Sequence, residues 1–350
     1  MNPDIQPQQK TLRHVLIALG LAAIGLILLY LLRSFAGALL LMFAGALLGL
    51  FLRGLTMLAV KLLRLPRTLA VALVVLLLLG IGVAFFWLAG PMVFQQGQVL
   101  VAQLPQSITV LQSSLQKTDW GRAILSSLPS LSGLQLSFTS ILGSVTQIFS
   151  ITMALAGAVV FIFFVGLYLA ASPGIYETGF LFLLPREHRR RGREVLLALG
   201  LALRWWLLGR AVTMTLMGTL TALALWWADV PLALVLGIIA GLLLFVPYLG
   251  AIAAAIPALL IGLMQSPSKA AWIAVIYTGV HVFEGYCITP FVQKRAVALP
   301  PALLLSVQIL AASLFGTSGV IFSSPLTVDA VVLIRPPSVQ AVPGHDVPVL

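Results

Sequence analysis

The sequence predicts an all-α membrane protein: a polytopic helical bundle of about eight membrane segments, two of them broken, re-entrant hairpins. Three observations lead there. Hydrophobic residues make up 61% of the 350 residues and charged residues 8%, where soluble domains carry roughly a quarter charged. Several apolar runs are about 18 residues or longer, the length at which a helix can cross the hydrocarbon core. The stretch 232–263 is uncharged and longer than the ~20 residues one crossing needs. It is interrupted in its middle by Phe245-Val-Pro-Tyr-Leu-Gly250. Pro247 has no N–H and its ring crowds the preceding turn, while Gly250 tolerates any backbone angle, so the helix is expected to break there. Backbone broken at membrane depth must be buried in protein or line a wet cavity, and membrane proteins that carry solutes place their sites at such breaks.

Residues 1–90 are read as three spans. The first, 15–32, follows Lys10 and Arg13. It is too long for a signal peptide and lacks a small-residue cleavage site, so it is read as retained. Arg33-Ser34 separates it from 35–52, a connection short enough to predict an antiparallel hairpin. Arg53, Lys61, Arg64 and Arg67, with Pro66 among them, lead to the third span, 69–90, which Pro91 ends. Residues 91–147 change character. They are rich in Gln, Ser and Leu, with Lys117, Asp119 and Arg122 as their charges. Leu100, Leu104, Ile108, Leu111 and Leu115 recur at helical spacing, which predicts an amphipathic helix lying on the membrane surface or packed on neighbouring subunits.

A fourth span covers 148–170. Residues 171–210 form a basic loop, with Arg186, Arg189, Arg190, Arg191 and Arg193, and an amphipathic helix carrying Arg204, Arg210 and the pair Trp205-Trp206. The run of arginines is read as topology and lipid contact, or as a partner-binding patch. The C-terminal membrane core, 211–334, starts with a fifth span that ends at Trp226-Trp227; paired Trp at both ends fits interfacial belts. The broken stretch 232–263 follows, then a span from 270 to 288 that contains His281 and Glu284. A second over-long apolar stretch, 303–334, is interrupted by Gly316, Gly319 and Pro325. The tail, 335–350, is Pro-rich and predicted disordered.

The net charge of +11 sits in short clusters beside apolar runs, which is topology information and excludes a nucleic-acid-binding face. With the clusters at 10–13, 53–67 and 186–210 all cytoplasmic, 91–147 lies outside. Lys294 and Arg295 fall inside only if 232–263 enters and leaves by the same face. The same logic makes 303–334 a second hairpin and puts both termini in the cytoplasm. Two long Gly/Pro-broken segments flanking one ordinary span are the pattern of an internal repeat with two half-helix pairs.

One cysteine, Cys287, excludes an internal disulfide and a thiolate metal cluster. There is no His-Glu-x-x-His, Gly-x-Ser-x-Gly or Gly-Lys-Ser/Thr motif, so no enzyme, ATP-driven pump, metal or cofactor is expected. The expected partners are membrane lipid and a small-molecule or ion substrate.

Candidate working residues cluster in the core. Glu284 is the acid placed inside a span, where a lone carboxylate costs at least ~2.5 kcal/mol and calls for a partner or a proton. His281, three residues earlier, shares its helix face. The pair reads as a proton relay or ion site; the structural alternative has Glu284 pairing with Lys294 or Arg295 near the inner interface. Pro247, Tyr248 and Gly250 read as a gate or substrate contact, or as a plain re-entrant turn. Gly316 and Gly319, with Pro325 beyond them, carry the same pair of readings for the second hairpin. Gly237 and Gly241 form a small-xxx-small face and are read as helix packing. Asp329 is read as a second buried acid or an interfacial cap.

Several of these residues fall in motifs that resemble the AI-2E (autoinducer-2 exporter) family of bacterial membrane transporters. They are Trp206-Leu-Leu-Gly209, Gly218-Thr-Leu-Thr221, Pro231 with Leu-Gly237-Ile-Ile-Ala-Gly241, Phe245-Val-Pro-Tyr-Leu-Gly250 and Ala255-Ile-Pro257, then Glu284 with Pro290, Leu299-Pro-Pro301, Leu314-Phe-Gly-Thr-Ser-Gly319 and Ser324-Pro-Leu326. The likeness is dense from about 195 to 330 and looser before that. It implies about eight membrane segments, an inner-membrane location, self-association as a homo-oligomer, and export or facilitated passage of a small polar metabolite. The chain departs from the pattern where Leu244 replaces a common Glu, Ala251 a common Pro and Arg210 a common Gln. The rival readings are a monovalent cation/proton antiporter and a non-transporting membrane scaffold.

Overall fold

The computed structural model describes residues 5–117, 145–288 and 299–334, together with 119, 122 and 290. Every described element is helical. In chain order they are α1 (Ile5–Leu63), α2 (Arg67–Leu88), α3 (Gly90–Gln116), α4 (Val145–Ala171), α5 (Pro173–Phe182), a single 3-10 turn (Arg186–His188), α6 (Arg189–Trp227), α7 (Ala233–Leu243), α8 (Leu249–Gln265), α9 (Pro267–Phe283), a π-helical turn (Glu284–Ile288) and α10 (Pro301–Ile334). Among the described residues six helices are long and apolar enough to cross a membrane, and α7 and α8 are shorter apolar helices. The protein is a polytopic all-α membrane protein.

Two expected boundaries are absent. Arg33-Ser34, read as the turn of a hairpin, lies inside the continuous helix α1. Neither residue lacks an N–H or clashes with the preceding turn, so nothing there stops the hydrogen-bond ladder. Residues 210 and 211, read as the junction of an amphipathic helix and a span, are likewise interior to α6. The expected tail, with Lys294, Arg295 and most of 91–147 beyond α3, falls outside the described residues.

The helices are held by close backbone approaches and by apolar clusters, two of them larger than the rest. α6 and α7 meet where neither has a side chain: a Cβ on Gly218 would lie 3.0 Å from the Gly237 carbonyl and 3.1 Å from Gly241 Cα. Gly237 and Gly241 thus form the packing face read from their spacing. One core joins Leu225 of α6, Val235 and Leu236 of α7, Ala254, Ala258 and Ile261 of α8, and Ile273 and Tyr277 of α9. The other joins Leu47 of α1, Leu203, Trp206 and Leu207 of α6, and Val328 and Val332 of α10, with Phe245 packed against it. Outward faces are apolar, Phe86, Trp87, Trp226 and Trp227 among them, as a lipid-solvated surface requires.

Helix α3 is not a free amphipathic segment. Leu100 is buried in the first core, the Gln96 side-chain oxygen accepts from Val235 N at 3.2 Å, and Ser107 sits on Met264 at 2.7 Å. Its apolar face is covered by α7 and α8 of the same chain, where a membrane surface or a neighbouring subunit was expected. Its position at the start of α7 satisfies one of the N–H groups that a helix leaves unpaired there. At the same end of the bundle, Ser266 caps α9 by accepting from Lys269 N at 3.1 Å. The Lys269 ammonium reaches the Ala228 carbonyl at the end of α6 at 2.5 Å.

Candidate functional site

The chain breaks where Pro247 predicts. α7 ends at Leu243 and α8 starts at Leu249, which divides an apolar stretch into pieces of 11 and 17 residues. The turn closes through Val246 N to Leu243 O at 3.0 Å and Gly250 N to Val246 O at 3.0 Å. The positive φ of this turn falls on Tyr248, at φ 61° and ψ −64°, and not on Gly250. A residue with a Cβ held there stores on the order of 1–3 kcal/mol. Gly250 is needed for space: a Cβ on it would fall on the carbonyl of Leu243, so the chain doubles back within seven residues.

The second break repeats this design. α10 is two helices meeting at a kink, with Gly316 at φ 62° and ψ −146°. A Cβ on Gly319 would fall on the carbonyl of Ala311 and lie 2.9 Å from Phe315 Cβ. In each case a glycine just past the break seats on a carbonyl of the half-helix before it. Pro325 is fully buried in the second half, inside the helix rather than at its break.

One side chain ties α10 to the first break. Gln308, 1% exposed and one turn before Ala311, donates its amide N–H to the Pro247 carbonyl at 3.0 Å. That carbonyl also accepts from Leu249 N at 2.7 Å. Freed backbone at depth thus meets polar partners inside the protein. The sequence reading missed Gln308, although it shares a helix face with Leu304 and Ala311, both buried.

Glu284 and His281 meet as their spacing predicts, with His281 Nδ1 3.1 Å from the Glu284 carboxylate. Glu284 opens the π-helical turn, a distortion frequent at functional sites. The rings of His281 and Tyr277 lie 6.5 Å apart between centroids, and the Tyr277 hydroxyl is buried without a partner among the described residues.

Arg210 also belongs here, where the sequence placed it at the end of the basic cluster 186–210 and marked it only as replacing a common Gln. Trp206, one turn before it, packs edge-on to Phe245 at 5.8 Å. Met214, one turn after it, packs into a cluster with Leu244, Ala251 and Ile288. Arg210 therefore lies on the strip of α6 that faces the first break. Its Nε and Nη2 are shut off from solvent without a hydrogen-bond partner among the described residues, and Glu284 is close enough to act on its charge. Gln308 Oε1, Ser324 Oγ and Asp329 Oδ1 are buried and unpartnered among the described residues too. So the C-terminal core of an apolar protein holds several polar groups with unused hydrogen-bonding capacity.

Comparison with known proteins agrees with this architecture. The profile of the AI-2E family transporter matches residues 17–335. The chain is 25% identical over 275 residues to the protein named "Putative transport protein YueF" of Bacillus subtilis (strain 168), which covers 75% of this chain and 74% of that one. It is 29% identical over 147 residues to the same organism's "Putative transport protein YrrI", covering 42% of this chain and 41% of that one. A match over nearly the whole chain settles the kinship: the chain belongs to the AI-2E family of transporters and is a multi-pass membrane transport protein.

Proposed function

We propose that the protein exports, or facilitates the passage of, a small polar metabolite of the autoinducer-2 kind across the bacterial inner membrane, with the path running between the two breaks. The observation that supports this reading is the Gln308–Pro247 hydrogen bond. Through a buried side chain it ties α10 to a backbone carbonyl freed at the first break, and freed backbone inside an apolar bundle is where transporters of this kind hold their solutes. Half-helix ends near 246–250 and 315–319 contact the solute, and Glu284 with His281 shapes its passage. α7 and α8 form one re-entrant pair and the two halves of α10 another; because α1 runs unbroken through Arg33-Ser34, it counts as one crossing, and the total is seven membrane segments, with the C-terminus cytoplasmic. The chain works as a homo-oligomer and needs no cofactor or catalytic step.

A second reading, monovalent cation/proton antiport, is favoured by the His281–Glu284 contact alone.

The test compares medium from cells lacking the protein with medium from cells overproducing it, at matched density. Autoinducer-2 activity is assayed and small metabolites are profiled. A compound that rises with the protein, and no longer rises with Gly250→Leu, supports export. No change in any metabolite, together with sodium- or pH-driven exchange by the purified protein in liposomes, refutes export in favour of antiport.

A further inference from the structure

The path described above has a net sign, and we infer that it selects small anions, with the Arg210 guanidinium as the group that receives a carboxylate or phosphate of the solute. This rests on the transport reading and narrows its substrate class. The placement of Arg210 comes first. Its neighbours on the same helical strip, Trp206 and Met214, touch Phe245 and share a cluster with Leu244 and Ala251. The guanidinium is therefore held against the break and away from the lipid-facing side of α6, where Leu216 and Leu223 are exposed. An arginine that merely marked the interface would reach toward headgroups and water. This one has two nitrogens shut off from both.

The state of those nitrogens comes second. Nε and Nη2 form one edge of the planar fork, the geometry that grips two oxygens of a carboxylate or phosphate at once. Both lack a partner among the described residues. Buried donors are almost always satisfied, and an exception calls for an explanation such as a ligand. No ion pair among the described residues includes Arg210.

The surroundings come third. α8 begins beside this strip, since Ala251 in its first turn packs in the cluster of Met214. Its N-terminus carries no side-chain cap, Tyr248 occupying that position. A helix of 17 residues presents partial positive charge at that end. The opposing group is Glu284, whose charge reaches Arg210 while its carboxylate is engaged by His281 at 3.1 Å. Glu284 thus acts as a resident counter-charge at a distance, leaving the fork itself open to an incoming anion.

The experiment uses the full-length protein in liposomes loaded with a defined mixture: succinate and inorganic phosphate as anions, glycerol and ribose as neutral solutes, rubidium as a cation. Efflux of each is read against protein-free liposomes. Ratios between solutes are compared, so that differences in the amount of folded protein cancel. Wild type is expected to release at least one anion faster than either neutral solute. Arg210→Gln is expected to lower the anion-to-neutral ratio tenfold or more, and Arg210→Lys to restore part of it. Release of neutral solutes without anions, or an anion-to-neutral ratio unchanged in Arg210→Gln, overturns the anion assignment and leaves transport standing. Release of rubidium alone overturns it in favour of cation exchange. No release of any solute overturns it together with the transport reading. Anionic lipid retained by purified wild type and lost from Arg210→Gln, with no anion release, overturns it in favour of a lipid headgroup.

Discussion

Replacing Gly250 by alanine adds one methyl group where the structure has no room for it. The new Cβ would fall on the Leu243 carbonyl oxygen, with the carbonyl carbon only 2.6 Å away. Both atoms are backbone, so no rotamer change can make way; α7 and α8 would have to separate. Overpacking of this kind costs ~1–3 kcal/mol, and the upper end applies because the obstacle is main chain. The control is Gly279→Ala in α9, where a Cβ meets nothing within 4 Å. There the exchange removes a poor helix former and stabilises by ~1 kcal/mol. The two substitutions are chemically identical, so the difference between them, ~3–4 kcal/mol, isolates the close approach at the break. Unfolding of each variant in mixed micelles by added SDS, followed by circular dichroism, should place Gly250→Ala below wild type and Gly279→Ala at or above it. The solute efflux of Gly250→Ala should fall as well. If the two variants unfold together, or if Gly250→Ala is the more stable, the doubled-back geometry at Gly250 is wrong.

Three further outcomes follow from the contacts. Ser266→Ala removes the cap on α9 and should lower stability by ~1 kcal/mol, measurable in the same unfolding assay. Gln308→Leu removes the donor to the Pro247 carbonyl but also an unpartnered buried oxygen, so its stability should change by less than ~1.5 kcal/mol; solute efflux at matched folded protein should nevertheless drop, because the tie between α10 and the first break is lost. Glu284→Gln keeps a side chain of the same shape beside His281 and removes the negative charge that acts on Arg210. The anion-to-neutral efflux ratio should rise, whereas an antiporter would lose its ion-driven exchange.

Much of the core was legible in the sequence because it depends on local chemistry. Pro247 removes an N–H and crowds the preceding turn, and with Gly250 three residues on, the break between Leu243 and Leu249 could be placed in advance; Pro105, Pro257 and Pro325, without such a pairing, stay inside their helices. Of the three interruptions read in 303–334, Gly316 is the one that kinks, because a glycine takes φ 62° without a Cβ penalty, and three-residue spacing put His281 against Glu284. What escaped depends on long-range contact. Gln308 looked like one amide on an otherwise apolar face, and its partner is a carbonyl 61 residues away. Arg210 closed the basic cluster 186–210 and read as one more cytoplasmic charge. Its recurrence one turn after Trp206 and one turn before Met214 was the available signal that it faces inward. Arg33-Ser34 misled in the opposite direction: a polar pair between apolar runs resembles a turn, but it contains no residue that prevents a helix from continuing. The covering of α3 was also beyond reach, because an amphipathic pattern says that a face is covered and not by what.

The length of α6 has a mechanical consequence. It runs 39 residues without a proline, about 58 Å at 1.5 Å per residue, so it behaves as a rod with no joint along its length. The rod is clasped by α7 at Gly218, far from its basic end. Arg189 lies about 44 Å from that clasp and Arg210 about 12 Å, on the same side. A tilt of about 5° about the clasp would carry Arg189 through about 4 Å and Arg210 through about 1 Å. Such a tilt would slide Leu203, Trp206 and Leu207 against α1 and α10, and a displacement at the arginine-rich end would arrive at the guanidinium beside the break reduced about fourfold.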